Sequence, residues 1–213
     1  MSVLPRGLYP VITEKFCKGR SSLNVLQEVI KGGAKIVQLR EKKISKKAFF
    51  ELATKYKEIT LKNQVKLIIN DHIDIAIAIK ADGVHLGQDD LPCQAARELN
   101  KKLIIGISTH NENEIIEATK HDASYINIGP LFSTNTKETC FPLGINYLKN
   151  IKTSLPFSVM GGIKKHHLSE LINLGVGTIA MVTEITEASN IKEKVIELSK
   201  FFFQSVDTTD YKA

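Results

Sequence analysis

Eight short runs rich in β-branched and apolar residues recur along the chain, at 8–13, 35–39, 66–69, 83–86, 103–107, 125–128, 157–160 and 178–182. Most are apolar throughout rather than alternating, as strands covered on both faces are. Helical patterns separate them. Leu23, Leu26, Val29 and Ile30 form one apolar stripe, stopped at Gly32-Gly33, and Phe49, Leu52, Ala53, Tyr56 and Ile59 form another. Asn111 and Glu114 have the spacing of a capping box ahead of Ile115 and Ile116. Leu168, Leu171, Ile172 and Leu174 run to Gly175, placed as a C′ glycine, and Ile191, Val195, Leu198 and Phe202 form the last stripe.

Eight strands alternating with about eight helices demand parallel pairing through βαβ crossovers. A doubly wound sheet also holds eight strands. The helices here are short and evenly spaced, with no insertion marking a second half, so a (β/α)8 TIM barrel is expected. A chain of 213 residues carries one core of this kind. Residues 1–203 are expected to be a single domain, and the polar end at 204–213 is expected to fray.

No apolar run is long enough to span a bilayer, and the first residues lack the pattern of a signal peptide. Three scattered cysteines, Cys17, Cys93 and Cys140, form no CxxC pair, which argues against a zinc knuckle or a disulfide framework. A reduced, cytoplasmic setting is expected, with no membrane partner. The net charge of +6 suits an anionic partner, either nucleic acid or a phosphorylated small molecule. The lysines are spread along the chain without a dense basic block, the pattern of a solvated surface, so no nucleic-acid partner is expected. The oligomeric state is open, a homo-oligomer included.

In a barrel of this type the active site lies at the C-terminal ends of the strands, and polar residues gather there. The second run continues into VQLREK, whose alternation aims Gln38, Arg40 and Lys42 in one direction. The third ends in Asn70-Asp71, and Gln88-Asp89-Asp90 follows the fourth. Ser108 follows the fifth, and the loop after the sixth carries Thr134, Thr136 and Lys137. The seventh ends in Gly161-Gly162 and the eighth in Val182-Thr183. Two carboxylates brought together with no base between them resist ionising, and a divalent cation removes that penalty. Oxygen ligands without histidine or cysteine suit Mg²⁺, which takes one or two carboxylates plus substrate phosphate oxygens. The acids after the third and fourth strands therefore read as one half of a Mg²⁺–diphosphate clamp, with Arg40, Lys42 and Lys137 neutralising the rest of the polyanion.

Each residue also has a plainer explanation. Asp71 and Asp90 have positions from which they could cap the helices that start near His72 and Pro92. Arg40 and Lys42 could be solvated strand-end charges, and Gly161-Gly162 a simple turn. His85 reads as a core histidine with satisfied hydrogen bonds. His166-His167 lacks companions for a metal, and Cys140 lacks a histidine to activate it. What favours a site is that basic, amide, acidic and hydroxyl groups all fall at the same end of the strands.

The segments VQLREK, LIINDHIDIAIAIKADGVHLGQDDLP, IIGIST, YINIGPLFSTNTK, GGI and GVGTIAMV together resemble the thiamine-phosphate synthase family, from about Leu8 to Ile185. The resemblance implies a TIM barrel and a Mg²⁺-dependent transferase that joins hydroxymethylpyrimidine diphosphate to a thiazole phosphate. It implies that Gln38, Arg40, Lys42 and Asn70 contact the pyrimidine diphosphate, and that Asp71 and Asp90 hold Mg²⁺. Ser108 and Lys137 would face the diphosphate, so that Arg40, Lys42, Ser108 and Lys137 form the catalytic set. Thr134 and Thr136 would border the thiazole phosphate, and Gly162, Val182 and Thr183 complete that site. The sequence departs from the family at His72, where arginine is common, and at Glu184, which adds a charge near the thiazole phosphate. Two alternatives stand beside the synthase: a thiazole tautomerase of the same fold and a non-catalytic binding protein for thiamine precursors. In the tautomerase a histidine commonly follows the glycine of the sixth strand, where Pro130 follows Gly129 here.

Overall fold

The computed structural model describes residues 3–134, 136 and 141–204. Eight parallel strands close into a barrel in sequence order: β1 (Gly7–Ile12), β2 (Ile36–Leu39), β3 (Lys66–Asn70), β4 (Gly83–Leu86), β5 (Ile104–Thr109), β6 (Tyr125–Ile128), β7 (Phe157–Val159) and β8 (Thr178–Met181). Each expected strand is present, β4 and β6 at the expected bounds and the others moved by at most two residues. The expected tail falls almost wholly on residues 205–213, outside those described, and Gln204 still belongs to the last helix.

The strands present two different faces. Outward residues such as Ile12, Val37, Leu39, Leu67, Ile69, Val84, Leu86, Ile105, Ile126, Ile128 and Ile179 join one apolar cluster with the helices. Inward, only a small cluster of Leu4, Tyr9, Val11, Ile36, Ile68, Tyr125 and Ala180 is apolar or aromatic. Toward the C-terminal strand ends the inward positions turn polar. Gln38, Asn70, His85, Asn127 and Ser158 are all buried there. Register links them across neighbouring strands: Asn70 pairs with His85, Ser108 with Asn127, and Asn127 with Ser158. Gly106 on β5 clears space for this layer, since a Cβ at that position would stand 2.1 Å from the Tyr125 ring.

Helices α1 (Ser22–Lys31), α2 (Lys46–Lys62), α3 (Ile73–Ala78), α4 (Cys93–Leu99), α5 (Glu112–Lys120) and α6 (Leu168–Asn173) cover the outside. Ser21 and Ser45 cap α1 and α2 by accepting from the backbone N–H of Asn24 and Ala48. The expected box at α5 is half formed. Asn111 accepts from Glu114 N–H at 3.0 Å, but Glu114 accepts in turn from the N–H of His110, one residue earlier than the box requires. Gly175 closes α6 in the left-handed region, with φ at 86°.

Two expectations of even alternation fail. Among the described residues β6 and β7 are joined without an α-helix. A 3-10 segment at Ile145–Asn150 stands in its place, after the Pro142 and Gly144 breaks. Beyond β8 the described residues form three helices, α7 (Thr183–Thr186), α8 (Ile191–Ser199) and α9 (Phe201–Gln204), so the last stripe is split at Lys200. No helix among the described residues is long and apolar enough to cross a membrane.

Candidate active site

A cavity of about 130 Å³ opens at the C-terminal end of the barrel. Gln38, Arg40 and Lys42 all line it, as the alternation at the end of β2 dictates. Glu41, between them, turns the other way and accepts the backbone N–H of Glu14 at 2.5 Å. The backbone N–H of Arg40 donates to Ile12 O at 2.9 Å, and its guanidinium has no hydrogen-bond or ion-pair partner among the described residues. Its guanidinium is available for an anion in the mouth.

Asn70, Asp71, Asp90 and Ser108 line the same cavity. Neither aspartate is a helix cap. The N-cap residues of α3 and α4 are His72 and Pro92, and neither helix start receives a side-chain bond. Asp71 instead takes a left-handed backbone, with φ at 64°, a conformation that aspartate tolerates better than most residues. That turn aims its carboxylate at Lys42, 2.9 Å away. Asp90 folds back on its own loop and accepts the Gly87 N–H at 2.6 Å. Burial holds the Asp90 carboxyl above its ordinary range, and the Asp71 carboxylate beside it pushes the same way, against the Gly87 N–H and Lys42. His72, at the position where the sequence departs from the family, packs its ring edge-on against Phe49 with centroids 4.8 Å apart.

The Lys42–Asp71 pair decides little by itself. Lys42 is half exposed, and such a pair contributes only about 0.2–1 kcal/mol. Substrate or cation can displace it at small cost. The two acidic groups are the stronger signal, because mutual repulsion is an energy that a divalent cation would recover. No group of three or more potential metal-ligating His, Cys, Asp or Glu residues exists among the described residues. Two carboxylates therefore fit an ion that completes its shell with water and ligand oxygens, as Mg²⁺ does.

The far side of the mouth is built differently. Thr134 and Thr136 line the cavity and hydrogen-bond each other through their hydroxyls. Pro130, Met160, Gly161 and Val182 line it too, whereas Gly162 and Thr183 are not part of its wall. Gly162 lies under the loop after β6. A Cβ there would sit 2.3 Å from the Ser133 carbonyl oxygen, and its φ is 64°. That loop pairs with the end of β7 through Leu131 N–H to Met160 O and Phe132 N–H to Gly161 O, at 2.9 and 3.0 Å. Glu184 is held by Lys164 at 3.2 Å. Lys137 and Cys140 lie outside the described residues.

Three lining residues with polar side chains escaped the sequence reading of the site. His110 lies two residues beyond Ser108, just past the end of β5, and lines the same cavity, with its Nδ1 2.8 Å from Glu114. The i+2 spacing was the available signal. Asn127 is buried in the wall, and neither the nitrogen nor the oxygen of its carboxamide has a hydrogen-bond partner among the described residues. A lone amide within the apolar run YINI marked it. His85 has satisfied hydrogen bonds, as a core residue would, yet it also lines the cavity and touches Ser108.

Residues 8–185 match the sequence model of a family described as thiamine monophosphate synthase. A thiamine-phosphate synthase of Pelotomaculum thermopropionicum is 42% identical over 211 residues, covering 96% of each chain. One from Clostridium acetobutylicum is 44% identical over 190 residues, covering 88% of this chain and 90% of the other. Among solved structures, a thiamine phosphate pyrophosphorylase from Pyrococcus furiosus superposes with a TM-score of 0.83 at 29% identity, covering 93% of this chain and 96% of that one. A 3-hexulose-6-phosphate synthase structure superposes with a TM-score of 0.69 at 15% identity, a likeness of fold alone.

Proposed function

The chain belongs to the thiamine monophosphate synthase family, and from that premise we propose that it joins hydroxymethylpyrimidine diphosphate to a thiazole phosphate, releasing diphosphate, with Mg²⁺ as cofactor. The observation that carries this reading is the facing pair Asp71 and Asp90 in one mouth with Arg40 and Lys42. An anion-binding site that also holds two acids needs a cation between acids and anion. Bound there, Mg²⁺ would supply charge neutralisation for the leaving diphosphate.

The chain's own residues do the rest. Arg40 and Lys42 hold the diphosphate oxygens, and Ser108 donates to them from the opposite strand. Gln38 and Asn70 hold the pyrimidine end. The carbon–oxygen bond to diphosphate breaks with its electron pair staying on the diphosphate. The thiazole nitrogen gives its lone pair to the exposed methylene carbon, forming the carbon–nitrogen bond. No proton has to move, so no general base is required. Val11, Met160 and Val182 offer apolar walls to flat rings. Charge stabilisation and alignment therefore supply the rate. Thr134 and Thr136 border the thiazole phosphate, with Lys137 adding its positive charge to the diphosphate site and Gly162, Val182 and Thr183 supporting the second phosphate. The setting is cytoplasmic.

The test is direct. The purified protein is incubated with both precursors and Mg²⁺, and the mixture is analysed for thiamine phosphate and diphosphate in equal amounts. A parallel reaction contains a chelator. Absence of thiamine phosphate under all conditions would refute the synthase, and undiminished turnover in chelator would refute the role of Mg²⁺.

A further inference from the structure

Beneath the cavity a chain of hydrogen bonds crosses the barrel from β2 to β5. Gln38 Nε2 donates to the Tyr9 hydroxyl at 2.9 Å. The Tyr9 and Tyr125 hydroxyls are 3.0 Å apart. Tyr125 is 3.1 Å from Nδ1 of His85, and Nε2 of His85 is 2.9 Å from the Ser108 hydroxyl. Tyr9 and Tyr125 are fully buried, and the rings of His85 and Tyr125 stack with centroids 5.7 Å apart. The two ends, Gln38 and Ser108, both line the cavity.

Each hydroxyl has one proton, so the links cannot be chosen independently. The Tyr9 oxygen already accepts from Gln38, and its own proton has one remaining neighbour, Tyr125. Tyr125 must then give its proton to Nδ1 of His85. The ring is buried and its two nitrogens meet only the hydroxyls of Tyr125 and Ser108, with no carboxylate at either to balance a charge, so it is neutral and carries a single N–H. That N–H is on Nε2 and points to the Ser108 oxygen. The Ser108 proton is left over, at the edge of the cavity. At the other end the Gln38 oxygen is left over. The opposite polarity would strand the Tyr9 proton in the interior unless the Gln38 amide were also turned over. Amide orientation, histidine tautomer and serine proton are thus one linked two-state device.

We propose that this chain is polarised from Gln38 to Ser108, and that Tyr125 and His85 are positioning residues which make Ser108 a hydrogen-bond donor to the bound diphosphate and Gln38 an acceptor for an amino group on the substrate ring. The identity of the anion rests on the synthase reading; the polarity does not. An acceptor at one end and a donor at the other match a ligand with an N–H at its ring and an anion at its tail.

Nitrogen-15 NMR of the free protein reads the tautomer, with a His85→Gln variant to assign the signal. The expected result is an Nε2–H imidazole, and an Nδ1–H imidazole would overturn the polarity. Binding of diphosphate with Mg²⁺ then tests the consequence, by calorimetry on the parent, Ser108→Ala, Tyr125→Phe and the double variant. Loss of a hydrogen bond to a charged group predicts about tenfold weaker binding for Ser108→Ala. Tyr125→Phe, which releases the tautomer without removing the serine, is expected to weaken binding by about threefold to tenfold. In the Ser108→Ala background it should add nothing. An equal loss in both backgrounds would make Tyr125 merely structural. A parent protein that binds no diphosphate would refute the synthase reading, while the tautomer would still decide the polarity.

Discussion

In the proposed function each side of the mouth holds an anion, and the two sides are built from different materials. On the β2–β5 side the chemistry is in side chains at strand ends: Arg40, Lys42, Asp71, Asp90 and Ser108 all reach one cavity. On the β6–β8 side it is in backbone. The loop after β6 lies against the Gly161-Gly162 turn by main-chain hydrogen bonds, and Glu184 is occupied by Lys164. The first side keeps its charges within reach of one another. The second keeps a shape, and Glu184 beside it is already paired with Lys164. Substitutions should therefore damage catalysis on the first side and folding on the second.

The largest effect is expected from the acids. Asp71→Asn or Asp90→Asn should lower kcat about a hundredfold or more, as removal of a charge-stabilising group does. Stability should not fall, because Asp90 is already strained by burial and by its acidic neighbour. Steady-state kinetics and thermal melts of both variants check this; a normal kcat, or unfolding as the cause of its loss, breaks the contrast.

Below the same side, His85 makes a pH prediction. Its folded pKa of about 4 lies under the ordinary 6.5, so the unfolded chain binds the proton more readily. Stability contributed by the neutral ring is complete above about pH 6.5 and is lost as pH falls toward 4, by up to about 3 kcal/mol. Urea unfolding of the parent and of His85→Gln across this range isolates the term. Parallel curves would show that His85 does not titrate differently on folding.

Gly162→Ala should cost about 1–3 kcal/mol, since its backbone is left-handed and the new methyl would meet the Ser133 carbonyl. The accompanying change should be a higher KM for the thiazole phosphate, with diphosphate inhibition unaltered. An unchanged urea midpoint would remove Gly162 from the frame of the second side.

The smallest effect is expected at Glu184. Its pair with the half-exposed Lys164 contributes about 0.2–1 kcal/mol. Glu184→Ala should change the KM for thiazole phosphate by less than about threefold. A steep gain in affinity would mean that the carboxylate faces the ligand, and the two sides would then differ less than they do here.

Why one side was readable from sequence and the other was not follows from the same contrast. Arg40 and Lys42 alternate with a buried Glu41, and period-two alternation is visible in letters. Asp71 and Asp90 end apolar runs, so their placement follows from the strands. The competing capping role could be dismissed only once α3 and α4 were seen to start without side-chain caps. The function of Gly162 depends on a loop thirty residues earlier resting on it, a long-range packing fact with no local signature. The lack of an α-helix among the described residues between β6 and β7 is legible in Pro142 and Gly144, but regular spacing elsewhere outweighs them. His85 shows the limit most clearly. Its burial was expected, but not that a buried residue could still act at the surface through Ser108.

The Gly87 N–H gives the metal question an observer that needs no substrate. It donates to Asp90 at 2.6 Å, from the turn that carries that carboxylate. An ion drawing electron density from Asp90 would weaken this bond, so the amide proton resonance of a single glycine would move upfield as cation is added. Occupancy would become a spectroscopic quantity, readable by titration in a resting enzyme, and separable from everything that turnover adds.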